Sequence, residues 1–218
     1  SNKPNGDQET SASLAIENKA PLAVKYALES PIVEDKEVNF INTLREACAI
    51  GSESTFAKVL GQAKKLDTRN FRVVVNGIGG LEGGTASKEM PQLAEWEVTG
   101  ASPLSLACEK GATKLVRALL DAGADVDCGR PGPFTPLMSA CRTLGRAGDP
   151  KNPPIIDLIK RLVKAGAKGD ARSAETGETA LHFVAKQGIE VLYDHLVKQS
   201  GAKGSTPDLR GHTPRSLL

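Results

Sequence analysis

The chain has 218 residues, 39% of them hydrophobic and 25% charged, and 28 Lys+Arg against 26 Asp+Glu leave a formal charge of +2. A chain of this size buries a core without help from disulfides, and its balance excludes wholesale disorder and a strongly basic nucleic-acid binder. Aromatic residues are only 4%, low for a base-stacking surface, and no apolar run approaches the roughly 18 residues a spanning helix needs.

Residues 1–11 open on Ser1-Asn2-Lys3 rather than Met and read as a disordered or vector-derived tail, so a native targeting segment could have preceded them. No apolar signal-peptide core follows. Residues 12–39 hold Leu14, Ile16, Leu22, Val24 and Leu28, broken by Pro21, and predict an N-terminal helical cap or a worn repeat. Residues 40–69 predict a first two-helix unit with Leu44, Ala47, Cys48 and Gly51, its helix start placed at Asn42. An insertion is expected over 70–95. In it Arg72-Val73-Val74-Val75 reads as a short strand and Asn76-Gly77 as a hairpin turn. The glycines from Gly77 to Gly84 loosely resemble a nucleotide-cradling loop. A cradle of that kind needs a sizeable helix opening directly after the glycines, whereas Thr85 to Met90 gives under two turns before Pro91 and no G-K-[ST] follows.

The remaining units fall at about 98–128, 131–170, 175–204 and, in part, 208–218. Ser102-Pro103, Thr135-Pro136 and Thr213-Pro214 are helix starts: a hydroxyl that caps free N–H groups, then a proline where no N–H is needed. Leu104, Ala107 and Cys108 follow on one face, and Gly111 stops the helix. Leu115, Val116, Leu119 and Leu120 form the apolar stripe of a second helix that Gly123 ends, and Ile155 to Val163 and Ile189 to Val197 repeat that stripe. From slot 42 to 102 is 60 residues, 102 to 135 is 33, 135 to 179 is 44 and 179 to 213 is 34, a period of about 33 with surplus at 70–95 and at 142–154. One such hairpin cannot bury both faces, so units must stack.

The run from Gly100 to Gly111, with Leu119-Leu120 and Gly123-Ala124-Asp125-Val126-Asp127, resembles the ankyrin-repeat family over about residues 40–218 outside the two insertions. Asn42 in the hydroxyl slot, Ala180 in place of proline and Arg215 in place of leucine depart from the pattern. The resemblance implies an all-α solenoid of helix-turn-helix repeats with short hairpin fingers. It further implies a non-catalytic, intracellular scaffold or adaptor of the cytoplasm or nucleus, monomeric and without cofactor or metal, that binds a protein or peptide partner along its concave face. Carrying the family's variable finger and first-helix slots onto this chain gives Trp96, Glu109, Lys110, Phe134, Arg142, Glu178, Lys186, Gln187, Arg210 and His212 as partner-binding residues. For Trp96 and Phe134 a packing role, under the 70–95 insertion and between fingers respectively, stays open. The alternatives are a nucleotide-binding protein using Gly77–Gly84 and a regulatory or targeting arm of a larger enzyme. Membrane and nucleic-acid partners are disfavoured.

Cys48, Cys108 and Cys141 share one slot in three units and read as core thiols, while Cys128 falls in a link. The resemblance gives His182 a hydrogen-bonding role at its own helix start. No G-x-S-x-G nucleophile elbow is present. Charge is uneven: residues 1–141 carry 15 Lys+Arg and 18 Asp+Glu, net −3, and residues 142–218 carry 13 and 8, net +5.

Overall fold

A computed structural model describes residues 36–65, 68–76, 101–127, 134–146 and 152–218. The hydroxyl-proline starts behave as caps. Ser102 Oγ accepts from Ser105 N–H at 3.1 Å and Thr135 Oγ1 from Met138 N–H at 3.3 Å. Asn152 Oδ1 receives Ile155 N–H at 3.4 Å, with Pro153 in the first helical turn. The helices so begun are α4 (Pro103–Lys110), α6 (Pro136–Arg146) and α7 (Pro153–Lys164). Gly111 ends α4 at φ +69°, its own N–H reaching Cys108 O at 3.0 Å and Ala112 N–H reaching Ala107 O at 2.9 Å. An L side chain is strained in that left-handed well. The other helices are α1 (Lys36–Ile50), α2 (Glu53–Ala63), α3 (Thr68–Asn76), α5 (Thr113–Asp121), α8 (Ala180–Lys186) and α9 (Glu190–Ser200), followed by a 3-10 turn at Pro214–Leu217.

Helices this short are marginal alone and are held by burial of their apolar stripes. First helices form one row, α1 on α4, α4 on α6, α6 on α8 and α8 on the 3-10 turn. Second helices form another, α2 on α5, α5 on α7 and α7 on α9. Leu44, Leu104, Leu137 and Leu181 repeat one buried slot along the first row, and Leu119, Leu162 and Leu196 do so along the second. Each such leucine contributes about 1.5–3 kcal/mol by leaving water. The chain is thus an all-α stack, and no strand occurs among the described residues.

Four local expectations are corrected. Residues 72–75 are helical, inside α3, because Phe71, Val74 and Val75 share a helical stripe that packs on α1, and tertiary burial overrides the β preference of valine. Asn76 is the last residue of that helix rather than a hairpin corner, and its Oδ1 accepts from Asp125 N–H at 2.7 Å, tying α3 to the link after α5. Asn42 starts nothing: α1 begins at Lys36 and passes through it. Helix α6 also runs through residues 142–146, so the second insertion leaves the helix later than its expected start. Gly145 is tolerated there because the Gln187 amide lies over it; a Cβ would come within 2.4 Å of Nε2. The cap expected over 12–39, the glycines 77–84, Trp96 and Cys128 lie outside the described residues, apart from the first turn of α1.

Candidate interaction face

Counting from each helix start, the residue before the cap and the one seven after it recur on the first helices. They are Ala101 with Glu109, Phe134 with Arg142, and Glu178 with Lys186. In the second and third of these pairs the two slots touch. The Arg142 guanidinium lies 4.1 Å from the centre of the Phe134 ring, and Lys186 Nζ pairs with Glu178 Oε1. Between units the contacts continue: Arg142 Nη2 donates to Glu109 Oε1 at 2.5 Å, and Phe134 meets Phe183 edge to face with centroids 5.9 Å apart. Lys186 Nζ is 6.0 Å from the Phe183 centroid. The result is one ladder, Glu109–Arg142–Phe134–Phe183–Lys186–Glu178, across three successive first helices.

The ladder is partly open to solvent. Side-chain exposures are 38% for Glu109, 22% for Arg142, 46% for Lys186 and 10% for Glu178, and both rings are half-buried against the core. Arg142 Nε is buried without a hydrogen-bond acceptor, so the aromatic face and Glu109 are what hold the guanidinium. The backbone beneath is fixed by Thr143, whose Oγ1 lies 3.2, 3.0 and 2.9 Å from the carbonyl oxygens of Cys108, Glu109 and Ser139.

Five of the ten sequence-derived residues, Glu109, Phe134, Arg142, Glu178 and Lys186, are therefore brought together, and they contact one another. Lys110 is exposed, its stem lying along Gly51 of the preceding unit. Gln187 covers Gly145. Arg210 and His212 belong to the last finger, which Asp208 organises by accepting from both of their backbone N–H groups at 2.8 Å. Burial pushes the Asp208 carboxyl up, but those two N–H donors and the His212 ring outweigh it and hold the carboxyl below its ordinary value. Arg172 ties this finger to the one before it, donating to Gly177 O at 3.2 Å and Pro207 O at 2.7 Å.

Phe183 and Arg172 are the members that sequence reasoning missed. A signal for the ladder existed in the 33 residues between Glu109 and Arg142, one full repeat. Phe183 sits four after its helix start, where the other units carry Leu106 and Ser139, so no slot rule marks it.

His182 takes the structural place implied for it. Thr179 N–H donates to Nδ1 at 2.9 Å and Nε2 lies 3.1 Å from His212 O, an arrangement that puts the ring proton on Nε2 and links α8 to the last finger. Cys48, Cys108 and Cys141 are free and buried. Burial pushes the Cys48 thiol up to about 12, and raises Cys108 well above its ordinary value, with the neighbouring Cys141 and Cys48 adding to it. No group of three His, Cys, Asp or Glu among the described residues is arranged to hold a metal. No described helix is long and apolar enough to cross a membrane.

Residues 99–129 match the ankyrin repeat family model. The chain is 32% identical over 100 residues to an ankyrin repeat and KH domain-containing protein, mask-1, of Caenorhabditis elegans, covering 46% of this chain and 4% of that one. It is 38% identical over 114 residues to ankyrin repeat and SOCS box protein 11 of Danio rerio, covering 52% of this chain and 33% of that one. Residues 99–129 are an ankyrin repeat. The chain spans a third or less of the length of those two relatives. Ankyrin repeats generally mediate protein–protein interaction, and the ladder lies on first helices and the residues just before them.

Proposed function

We propose that the chain is a non-catalytic interaction module that docks a protein or peptide partner on the face carrying the Glu109–Arg142–Phe134–Phe183–Lys186–Glu178 ladder. The observation that carries this reading is the ladder itself: aromatic and cationic side chains, partly exposed and already held in one geometry. Arg and aromatic residues are the usual anchors of interfaces, where truncation often costs about 2 kcal/mol or more. A stiff stack also loses little backbone entropy on binding. The relatives' names join ankyrin repeats to a KH domain or a SOCS box, which supports reading this module as a recognition arm. Its three free buried thiols support an intracellular setting.

The test is affinity capture from the source lysate with the native chain, a Phe134→Ala/Arg142→Ala double variant, and Lys160→Ala on the exposed side of α7 as a control. Proteins retained by the native chain and by the control, and lost by the double variant at unchanged helical circular dichroism, are the expected result. Retention by all three would refute the docking face.

A further inference from the structure

The ladder is bracketed by cations. On its N-terminal side stands Lys110, exposed, beside Glu109 and with no ion pair among the described residues. On its C-terminal side stands Lys186, 46% exposed, above a Glu178 carboxylate only 10% exposed. Seen from solvent, Lys186 covers its own counter-ion. The Glu109 carboxylate between them is engaged by Arg142, and the middle of the face is the Phe134–Phe183 ring pair. The surface therefore reads, along the stack, as ammonium, neutralised pair, rings, ammonium. The net +5 of residues 142–218 adds a field of the same sign at the Lys186 end.

Spacing turns this pattern into a partner chemistry. Lys110 lies on α4 and Lys186 on α8, two helix-to-helix steps apart, and packed helices are about 8–10 Å apart, so the axes of the helices that carry the two lysines are separated by about 16–20 Å. An extended peptide advances about 3.3 Å per residue, so about six residues bridge that gap. We propose that the occupant of this face is an extended acidic segment with two carboxylates about six residues apart around a central apolar side chain, the carboxylates on Lys110 and Lys186 and the apolar group on Phe134 and Phe183. This rests on the docking face proposed above and specifies what it takes.

The probes are fluorescein-labelled peptides of about twelve residues built from Ser, Ala and Gln. One carries Glu at two positions six apart with Leu midway. A second has Lys for both Glu, a third brings the two Glu within two residues of each other, and a single-stranded oligo-dT is the fourth. Anisotropy titrations use the full chain. The wide acidic probe is expected to bind about tenfold more tightly than the basic one and several-fold more tightly than the narrow one, with binding weakened by salt. Lys110→Glu and Lys186→Glu each weaken it about fivefold or more, and Lys160→Glu on α7 leaves it unchanged. Lys110 has no ion pair to lose among the described residues, so its variant keeps the test readable should Lys186→Glu lower the melting temperature. Equal binding of the basic probe, equal loss with Lys160→Glu, tighter binding of the oligonucleotide, or no peptide binding would each overturn the acidic-segment proposal. The docking face is judged separately by lysate capture, which uses no peptide, so the two can fail apart.

Discussion

Replacing Arg142 by alanine removes two contacts whose sizes can be set from the geometry. The ion pair with Glu109 joins side chains 22% and 38% exposed, and pairs so placed are worth about 0.2–1 kcal/mol. The guanidinium 4.1 Å from the Phe134 ring adds about 0.5–1 kcal/mol. Arg142→Ala should therefore lower unfolding free energy by about 1–2 kcal/mol, a fall of about 2–8 °C in melting temperature for a chain of this length. Leu162→Ala, at a side chain with no exposed surface, should lower it by about 2–5 kcal/mol. Urea denaturation followed by circular dichroism measures both. A double-mutant cycle with Glu109→Ala isolates the ion pair, and one with Phe134→Ala isolates the ring contact. A loss for Arg142→Ala as large as that for Leu162→Ala would make Arg142 part of the framework. Zero coupling in both cycles would dissolve the ladder. Either result refutes the view that these side chains are ordered yet dispensable for folding.

Gly111→Ala should cost about 1–2 kcal/mol, since φ is +69° and the new Cβ meets Ile155 Cδ1 at 3.3 Å, whereas Gly61→Ala within α2, with open space around it, should stabilise by about 0.5–1 kcal/mol; thermal melts of both decide. His182→Ala strips Thr179 N–H and His212 O of their partner and should lose about 2–4 kcal/mol in urea unfolding. The raised thiols predict alkaline instability: the folded state disfavours the thiolate, so stability is complete below the unfolded-chain value near 8.5 and falls by about 1.4 kcal/mol per pH unit per cysteine as pH climbs toward 12. Stability measured from pH 8 to 11 should fall less steeply for Cys108→Ala, and an unchanged slope would show that the thiols are not what titrates.

The stack was legible where a residue's chemistry acts on its own neighbours. Ser102-Pro103 and Thr135-Pro136 cap the next turn whatever lies around them, and Gly111 stops a helix by its own backbone freedom. Helix α3 was hidden because its valines and Asn76-Gly77 carry a local hairpin signal, and the Phe71–Val74–Val75 stripe acquires its meaning only from the surface α1 presents. Asn42 misled for a related reason: the slot pattern continues into the first unit, but α1 extends upstream and needs no cap there. Of the face, the slots and the charges could be read, and the 33-residue step from Glu109 to Arg142 followed the repeat. Which cation leans on which ring depends on three units meeting, and Phe183 entered through a slot that carries no rule.

The internal pairing of the ladder favours its use as a binding surface. A free Arg or Lys gives up about 0.5–1.5 kcal/mol of rotamer freedom when a partner immobilises it. Arg142 and Lys186 have already lost much of that freedom, one against Phe134 and Glu109, the other against Glu178 and Phe183. A carboxylate arriving on Lys186 shares that cation with Glu178, while Arg142 stays with Glu109 and Phe134. It meets a side chain already aimed. The exchange is close to neutral, so the affinity gained comes from the apolar area covered on the two rings, and specificity from whether the carboxylates reach both ends of the ladder at once. Removing Glu109 would then free Arg142 from its competitor and also from its guide. Glu109→Gln, which keeps the side chain's reach and drops its charge, should tighten an acidic probe, whereas Glu109→Ala should tighten it less; the opposite order would mean that Glu109 serves the partner rather than Arg142.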